Sequence, residues 1–156
     1  MKLKILLIFS LLASSVIAQQ HLTIFYFGAT SCGPCNRSEV VESIKEMKAK
    51  FDSVHNDYKT KFVMVCMDEN IAEGLKFIQK YGYWNEISIG SWFNNELVLA
   101  NLNKTDIPAA PHILIYSEIF EKAKYGTVLI KNKELIKEIL GGDKIVAWVK
   151  SGMELK

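Results

Sequence analysis

The sequence predicts an α/β fold with a mixed central sheet, helices on both faces and an insert ahead of its last strands. Two features carry this reading. Through the first half, strand-like apolar runs alternate with amphipathic helical stretches, and strands joined through helices pair in parallel by crossover. Over the last third, strand-like runs follow one another with only turn residues between them, which adds antiparallel partners. The expected order is strand, helix, strand, helix, insert, three strands, helix.

Residues 22–27, Leu-Thr-Ile-Phe-Tyr-Phe, combine β-branched and aromatic side chains in a run that suits a buried strand. Val40, Ile44, Met47 and Phe51 then recur at helical spacing, with Glu42, Lys45, Glu46, Lys48 and Lys50 between them, as an amphipathic helix requires. Residues 61–67 form the second apolar strand. Asp68 or Asn70 can cap a second helix in which Ile71, Leu75, Ile78 and Tyr81 share a face, with Gly82 as its stop. Residues 83–104 are aromatic-rich and show no clear period. Pro111 leads into the next strand, residues 112–116. Residues 127–130 and 134–140 flank Asn132-Lys133 and read as a hairpin. Gly141-Gly142 breaks the run, and Asp143 can cap a last helix through Ile145, Val146, Trp148 and Val149.

The amino terminus reads differently. Lys2 and Lys4 precede an apolar stretch that ends in Val16-Ile17-Ala18, a small-x-small cleavage pattern. Residues 1–18 are expected to be a secretory signal, leaving residues 19–156 as a single domain in the periplasm or outside the cell. The rival is an uncleaved anchor, but the stretch falls short of the roughly 20 residues a spanning helix needs. No cysteine lies near the cleavage site, so no lipid attachment is expected there. Without Lys2 and Lys4, the 19 basic residues fall to 17, against 17 acidic. A net charge near zero argues against nucleic acid or an acidic membrane surface as partner.

Cys32-Gly33-Pro34-Cys35 carries the chemistry. A Cys-x-x-Cys pair can exchange a disulfide, hold a metal or attach haem. Haem attachment needs His after the second cysteine, where this chain has Asn36. Structural zinc usually takes a second ligand pair, and only Cys66 remains. A redox pair is therefore favoured. The motif falls between a strand and a helical pattern, and a cysteine at a helix N-terminus has its thiol pKa lowered by the unpaired N–H groups. Pro34 suits a first helical turn, where its missing N–H costs nothing. A structural staple is the plainer alternative, but so short a loop gains little entropy from closure. Cys66, inside an apolar strand, reads as a small core hydrophobe.

With these features the chain resembles the thioredoxin superfamily over nearly all of its length past the signal. The resemblance rests on Cys32-Gly33-Pro34-Cys35 at a strand-to-helix turn, Asp68 at the end of the second strand, Ile107-Pro108-Ala109-Ala110-Pro111 ahead of a strand, and a closing hairpin and helix. Within it, the layout is most similar to exported, TlpA-like thiol–disulfide oxidoreductases, which carry an insert before the cis-proline loop.

This resemblance implies that Cys32 is the nucleophile and Cys35 the resolving thiol, with no cofactor beyond the pair itself. It implies that Pro111 is cis, and that it and Ala110 meet a disulfide-containing protein substrate. Gly33 and Pro34 are the thioredoxin dipeptide, implying a reductant that needs a membrane electron donor. A monomer is expected. The chain departs from the family's pattern at Ser31, where Trp is common, and at Tyr26, where many members have a buried Asp. Ser38 holds the place where TlpA-like members often have Glu, with Glu39 next to it. Tyr26, Glu39 and His112 are the remaining candidates for tuning the thiols. His112 also supports the rival function, a protein that binds or delivers copper or zinc through Cys32, Cys35 and His112. A third reading is an inactive scaffold docking partners through Tyr81, Tyr83, Trp84, Trp92 and Phe93.

Overall fold

The structure, a computed structural model, describes residues 20–122 and 124–155; the proposed signal at residues 1–18 lies outside them. Five strands form one sheet in the order β3-β2-β1-β4-β5. β1 (Gln20–Gly28) lies at its centre, parallel to β2 (Lys59–Cys66) and antiparallel to β4 (His112–Lys122). Its residues from Leu22 onward are all buried, as a central strand covered on both faces must be. β3 (Glu86–Ile89) pairs in parallel with β2, and β5 (Val128–Leu140) closes the other edge against β4.

Period-two alternation divides the sheet into two cores. Leu22, Ile24, Tyr26, Met64, Cys66 and Ile113 face α1 (Ser38–Val54), α2 (Ile71–Gln79) and α4 (Gly142–Lys150). Phe25, Phe27, Val63, Val65 and Leu114 face the short α3 (Glu96–Ala100) and the 3-10 turn Leu102–Lys104, through Val98 and Leu102. Among the described residues, helices thus stand on both faces, three on one and one on the other. This sheet order, with the cysteine motif after β1 and a cis-proline before β4, is the thioredoxin fold that the resemblance implied.

The insert, which shows no clear period in the sequence, holds β3 and α3. Three local readings are corrected. The hairpin does not turn at Asn132-Lys133: β5 runs through them unbroken, and the reversal falls between β4 and β5, where Tyr125 and Gly126 have φ of 67° and 77°. Asn132-Lys133 lacks the glycine that a tight two-residue turn favours, and Tyr125-Gly126 supplies that chemistry instead. Asp143 does not cap α4. The helix begins at Gly142 without a side-chain cap, and Asp143 instead binds Arg37 Nη2 at 2.6 Å. On α2, Ile71 and Leu75 are exposed, and Gly74, Phe77 and Ile78 form the buried face. Asn70, rather than Asp68, caps that helix by accepting from the Ala72 and Glu73 amides at 2.9 and 3.2 Å.

Candidate active site

β1 ends beside the two cysteines. The Cys32 amide donates to the Ala29 carbonyl at 3.1 Å, closing a turn that reverses the chain. Cys32 and Cys35 are joined as a disulfide, with Cα atoms 5.3 Å apart. Cys32 is partly exposed and touches both cores, while Cys35 is fully buried. The Cys35 N–H points at Cys32 Sγ from 3.2 Å. Pro34 takes the first helical position behind Gly33, where a Cβ would meet nothing within 4 Å.

The helix expected to run straight on from the motif is broken. A single 3-10 turn, Pro34–Asn36, is followed by Arg37 in extended geometry (φ −67°, ψ 137°), and α1 starts only at Ser38. Arg37 bridges the two segments, its N–H donating to the Pro34 carbonyl and its carbonyl accepting from the Val40 and Val41 amides. The Cys32 sulfur therefore meets a specific donor, the Cys35 N–H, rather than the N-terminus of the long helix. A hydrogen bond to the charged form favours that form, so this donor stabilises a Cys32 thiolate once the disulfide opens.

Three side chains fix the turn. Asn36 Nδ2 donates to the Thr30 and Cys32 carbonyls at 2.9 and 2.8 Å, and its Oδ1 accepts from Lys80 Nζ at 2.7 Å. The Asp68 carboxylate accepts from the Thr30 amide at 2.9 Å and the Thr30 hydroxyl at 2.9 Å. It also accepts from Cys66 Sγ at 3.0 Å. Burial, and then this hydrogen bond, push the Cys66 thiol up to about 12, so it stays protonated and inert. Tyr81 donates its hydroxyl to the buried Cys35 carbonyl at 2.6 Å, and Tyr26 lies 3.0 Å from the Tyr81 hydroxyl.

Sequence reasoning named Tyr26 but missed the roles of Asn36, Lys80 and Tyr81. Asp68 was read as a helix-cap candidate and as the acid ending the second strand, not as the acceptor that holds Thr30. Ala110, like Cys32, packs against both cores, and the Ala110–Pro111 bond is cis. The Pro111 carbonyl accepts from the Gly141 amide at 2.9 Å. His112 is fully buried, with Nε2 3.0 Å from Glu138 Oε1. Burial lowers its pKa and the Glu138 carboxylate opposes this. Glu39 lies at the surface against Arg37 Nε, at 3.2 Å. Among the described residues no three His, Cys, Asp or Glu side chains converge as a metal site needs. The insert's aromatic residues divide: Tyr81 and Trp84 are buried, Tyr83 and Phe93 are exposed, and Trp92 packs on the same core as Cys32.

No protein-family model matches the chain, and no curated protein sequence matches it. Solved structures with a similar course are of low identity. The thioredoxin domain of a thiol-disulfide oxidoreductase from Bacteroides vulgatus is 21% identical with a TM-score of 0.47, covering 86% of this chain and 80% of that one. A thiol:disulfide interchange protein from Bacteroides sp. is 21% identical with a TM-score of 0.46, covering 84% and 72%. A thiol:disulfide interchange protein of the thioredoxin family from Chlorobium tepidum is 19% identical with a TM-score of 0.47, covering 86% and 81%. The assignment of fold rests on this chain's own sheet order, cysteine turn and cis-proline.

Proposed function

We propose that the protein is an exported thiol–disulfide oxidoreductase of the TlpA-like thioredoxin type, acting on disulfides of extracytoplasmic proteins. One observation carries the reading: Cys32 is partly exposed and its sulfur receives the Cys35 N–H, with fully buried Cys35 bonded to it. In the reducing direction, the Cys32 thiolate attacks one sulfur of a substrate disulfide. That bond breaks, the other substrate sulfur leaves as a thiolate and takes a proton, and a mixed disulfide remains. Cys35 then loses its proton and attacks Cys32 Sγ. The second substrate sulfur leaves, and the Cys32–Cys35 disulfide forms. Two electrons have passed from the pair to the substrate, so the pair is its own redox group. A dithiol donor must reduce it again, and outside the cytoplasm that donor belongs in the membrane. Among the described residues no helix is long and apolar enough to cross a membrane. In this reading Ala110 and the cis Pro111 present the substrate-binding edge. Gly33, Pro34, Tyr26, Glu39 and His112 stand as the tuning residues of this reading.

Turnover of a protein disulfide with dithiothreitol as donor tests it. Cys32→Ser is expected to abolish turnover. Reduced Cys35→Ser, freed of dithiothreitol and mixed with substrate, is expected to leave a mixed disulfide that persists until external thiol is added. Full activity in Cys32→Ser overturns the proposal. The reduction potential sets the direction: a value near about −270 mV marks a reductant and one near about −120 mV an oxidant.

A further inference from the structure

The Cys35 carbonyl is buried and lacks the partner that a continuous helix would give it. In an unbroken helix it would accept from the Glu39 amide, but the chain is extended at Arg37 and the hydroxyl of Tyr81 takes that place at 2.6 Å. Tyr81 has one hydroxyl proton, and it is committed to that carbonyl. The 3.0 Å contact between the two phenols is therefore donated by Tyr26. A directed chain results, from Tyr26 O–H to Tyr81 O–H to the Cys35 carbonyl. All three residues are buried, with Tyr26 and Cys35 fully so and Tyr81 nearly so. Burial raises the pKa of both phenols, which keeps each of them a donor. The neighbouring residue acts on the same turn, since Lys80 holds Asn36, which in turn binds the Cys32 carbonyl.

We propose that Tyr81, oriented by Tyr26, is the positioning residue of the resolving cysteine, holding the Cys35 backbone where its sulfur bonds to Cys32. The inference rests on the oxidoreductase reading above. Opening the disulfide takes the two sulfurs from bonding to contact distance, so the turn must yield. A turn held in the closed geometry raises the effective concentration of Cys35 at Cys32. It therefore favours the disulfide over the dithiol and shortens the life of a mixed disulfide. Losing the hydroxyl leaves the carbonyl unpaired and loosens the turn. That effect is specific to the closed state, whereas a purely structural tyrosine would stabilise both redox states alike.

The test is equilibration of wild type, Tyr81→Phe and Tyr26→Phe with reduced and oxidised glutathione, together with the lifetime of the mixed disulfide with glutathione. For Tyr81→Phe the equilibrium constant for forming the disulfide is expected to fall about tenfold, about 30 mV toward less negative potential. The mixed disulfide should persist longer. Tyr26→Phe leaves the Tyr81 hydroxyl in place but removes its donor, so a smaller shift of the same sign is expected. It also serves if Tyr81→Phe does not fold. A folded variant with wild-type potential and wild-type lifetime overturns the inference. A wild-type protein that forms the disulfide but turns over no protein substrate counts against the oxidoreductase reading instead, and leaves the comparison of potentials intact.

Discussion

Three cysteines share this chain, and their surroundings assign them opposite fates. Cys32 is partly exposed and receives an N–H, while Cys66 is buried and donates to Asp68. The Cys66 thiol, pushed up to about 12 by burial from an ordinary 9.0, gives the protein a measurable alkaline signature. Below the ordinary value, folded and unfolded chains both hold the proton and nothing changes. Between about 9 and about 12 the unfolded thiol has lost its proton and the native one has not. The native state binds more protons there, so stability falls as pH rises. One proton corresponds to about 1.4 kcal/mol per pH unit at most. Cys66→Ala is expected to remove that share of the slope, as read by urea unfolding across the window. An unchanged slope overturns the assignment of the shift to Cys66. The uniform drop from a lost sulfur moves the curve without changing its slope, so the two effects separate.

At the scale of elements, α2 decides the geometry around the motif, and it was the element least legible in the sequence. Ile71, Leu75, Ile78 and Tyr81 have helical spacing, yet the buried stripe is Gly74, Phe77, Ile78 and Tyr81. The reason is Gly74, which carries no apolar signal but lets the helix lie directly on the sheet. A Cβ there would come within 2.9 Å of Ile89 Cγ2 and 3.2 Å of Cys66 Sγ. That close approach brings the end of α2, and with it Lys80 and Tyr81, to the cysteine turn. Gly74→Ala sets two effects against each other. Helix propensity gains about 1 kcal/mol, while forcing a β-branched neighbour to shift costs about 1–3 kcal/mol. A net loss of about 1 kcal/mol, or a Tm lower by about 3–4 °C, is expected from thermal unfolding. A rise in Tm means the helix was never in that contact. The cysteine motif and its proline were legible because they are contiguous residues with one dominant chemistry. Asn36, Lys80 and Tyr81 were not, because each acts across a tertiary contact that no local pattern encodes.

Over the whole molecule, the sheet is closed by two unequal edges. β3 is a four-residue strand, too short to offer much unpaired backbone. β5 is thirteen residues long, and Val128, Leu129 and Ile130 are exposed on it beside fully exposed Tyr125. Such a strand is a template for pairing with another chain unless something blocks it. Here the register against β4 slips twice, between Ile115 and Tyr116 and between Ile119 and Phe120, and each slip marks a bulge that bends the edge. The second bulge leaves Lys131 as the extra residue between the partners of Ile119 and Phe120, with Glu121 3.5 Å from its ammonium. That ion pair is exposed and contributes little to stability; a lysine at this place acts instead by keeping a charge on the edge beside the apolar run. The misplaced hairpin expectation follows from the same device, since Asn132-Lys133 reads as a turn because polar residues interrupt an edge strand there. The wild-type chain is accordingly expected to sediment as a monomer. Lys131→Val, which makes residues 128–131 continuously apolar, should leave the melting temperature near that of wild type and produce a mass that grows with concentration. A variant that stays monomeric at every concentration places the protection in the bulges alone, and a wild-type dimer shows that the edge is used rather than blocked.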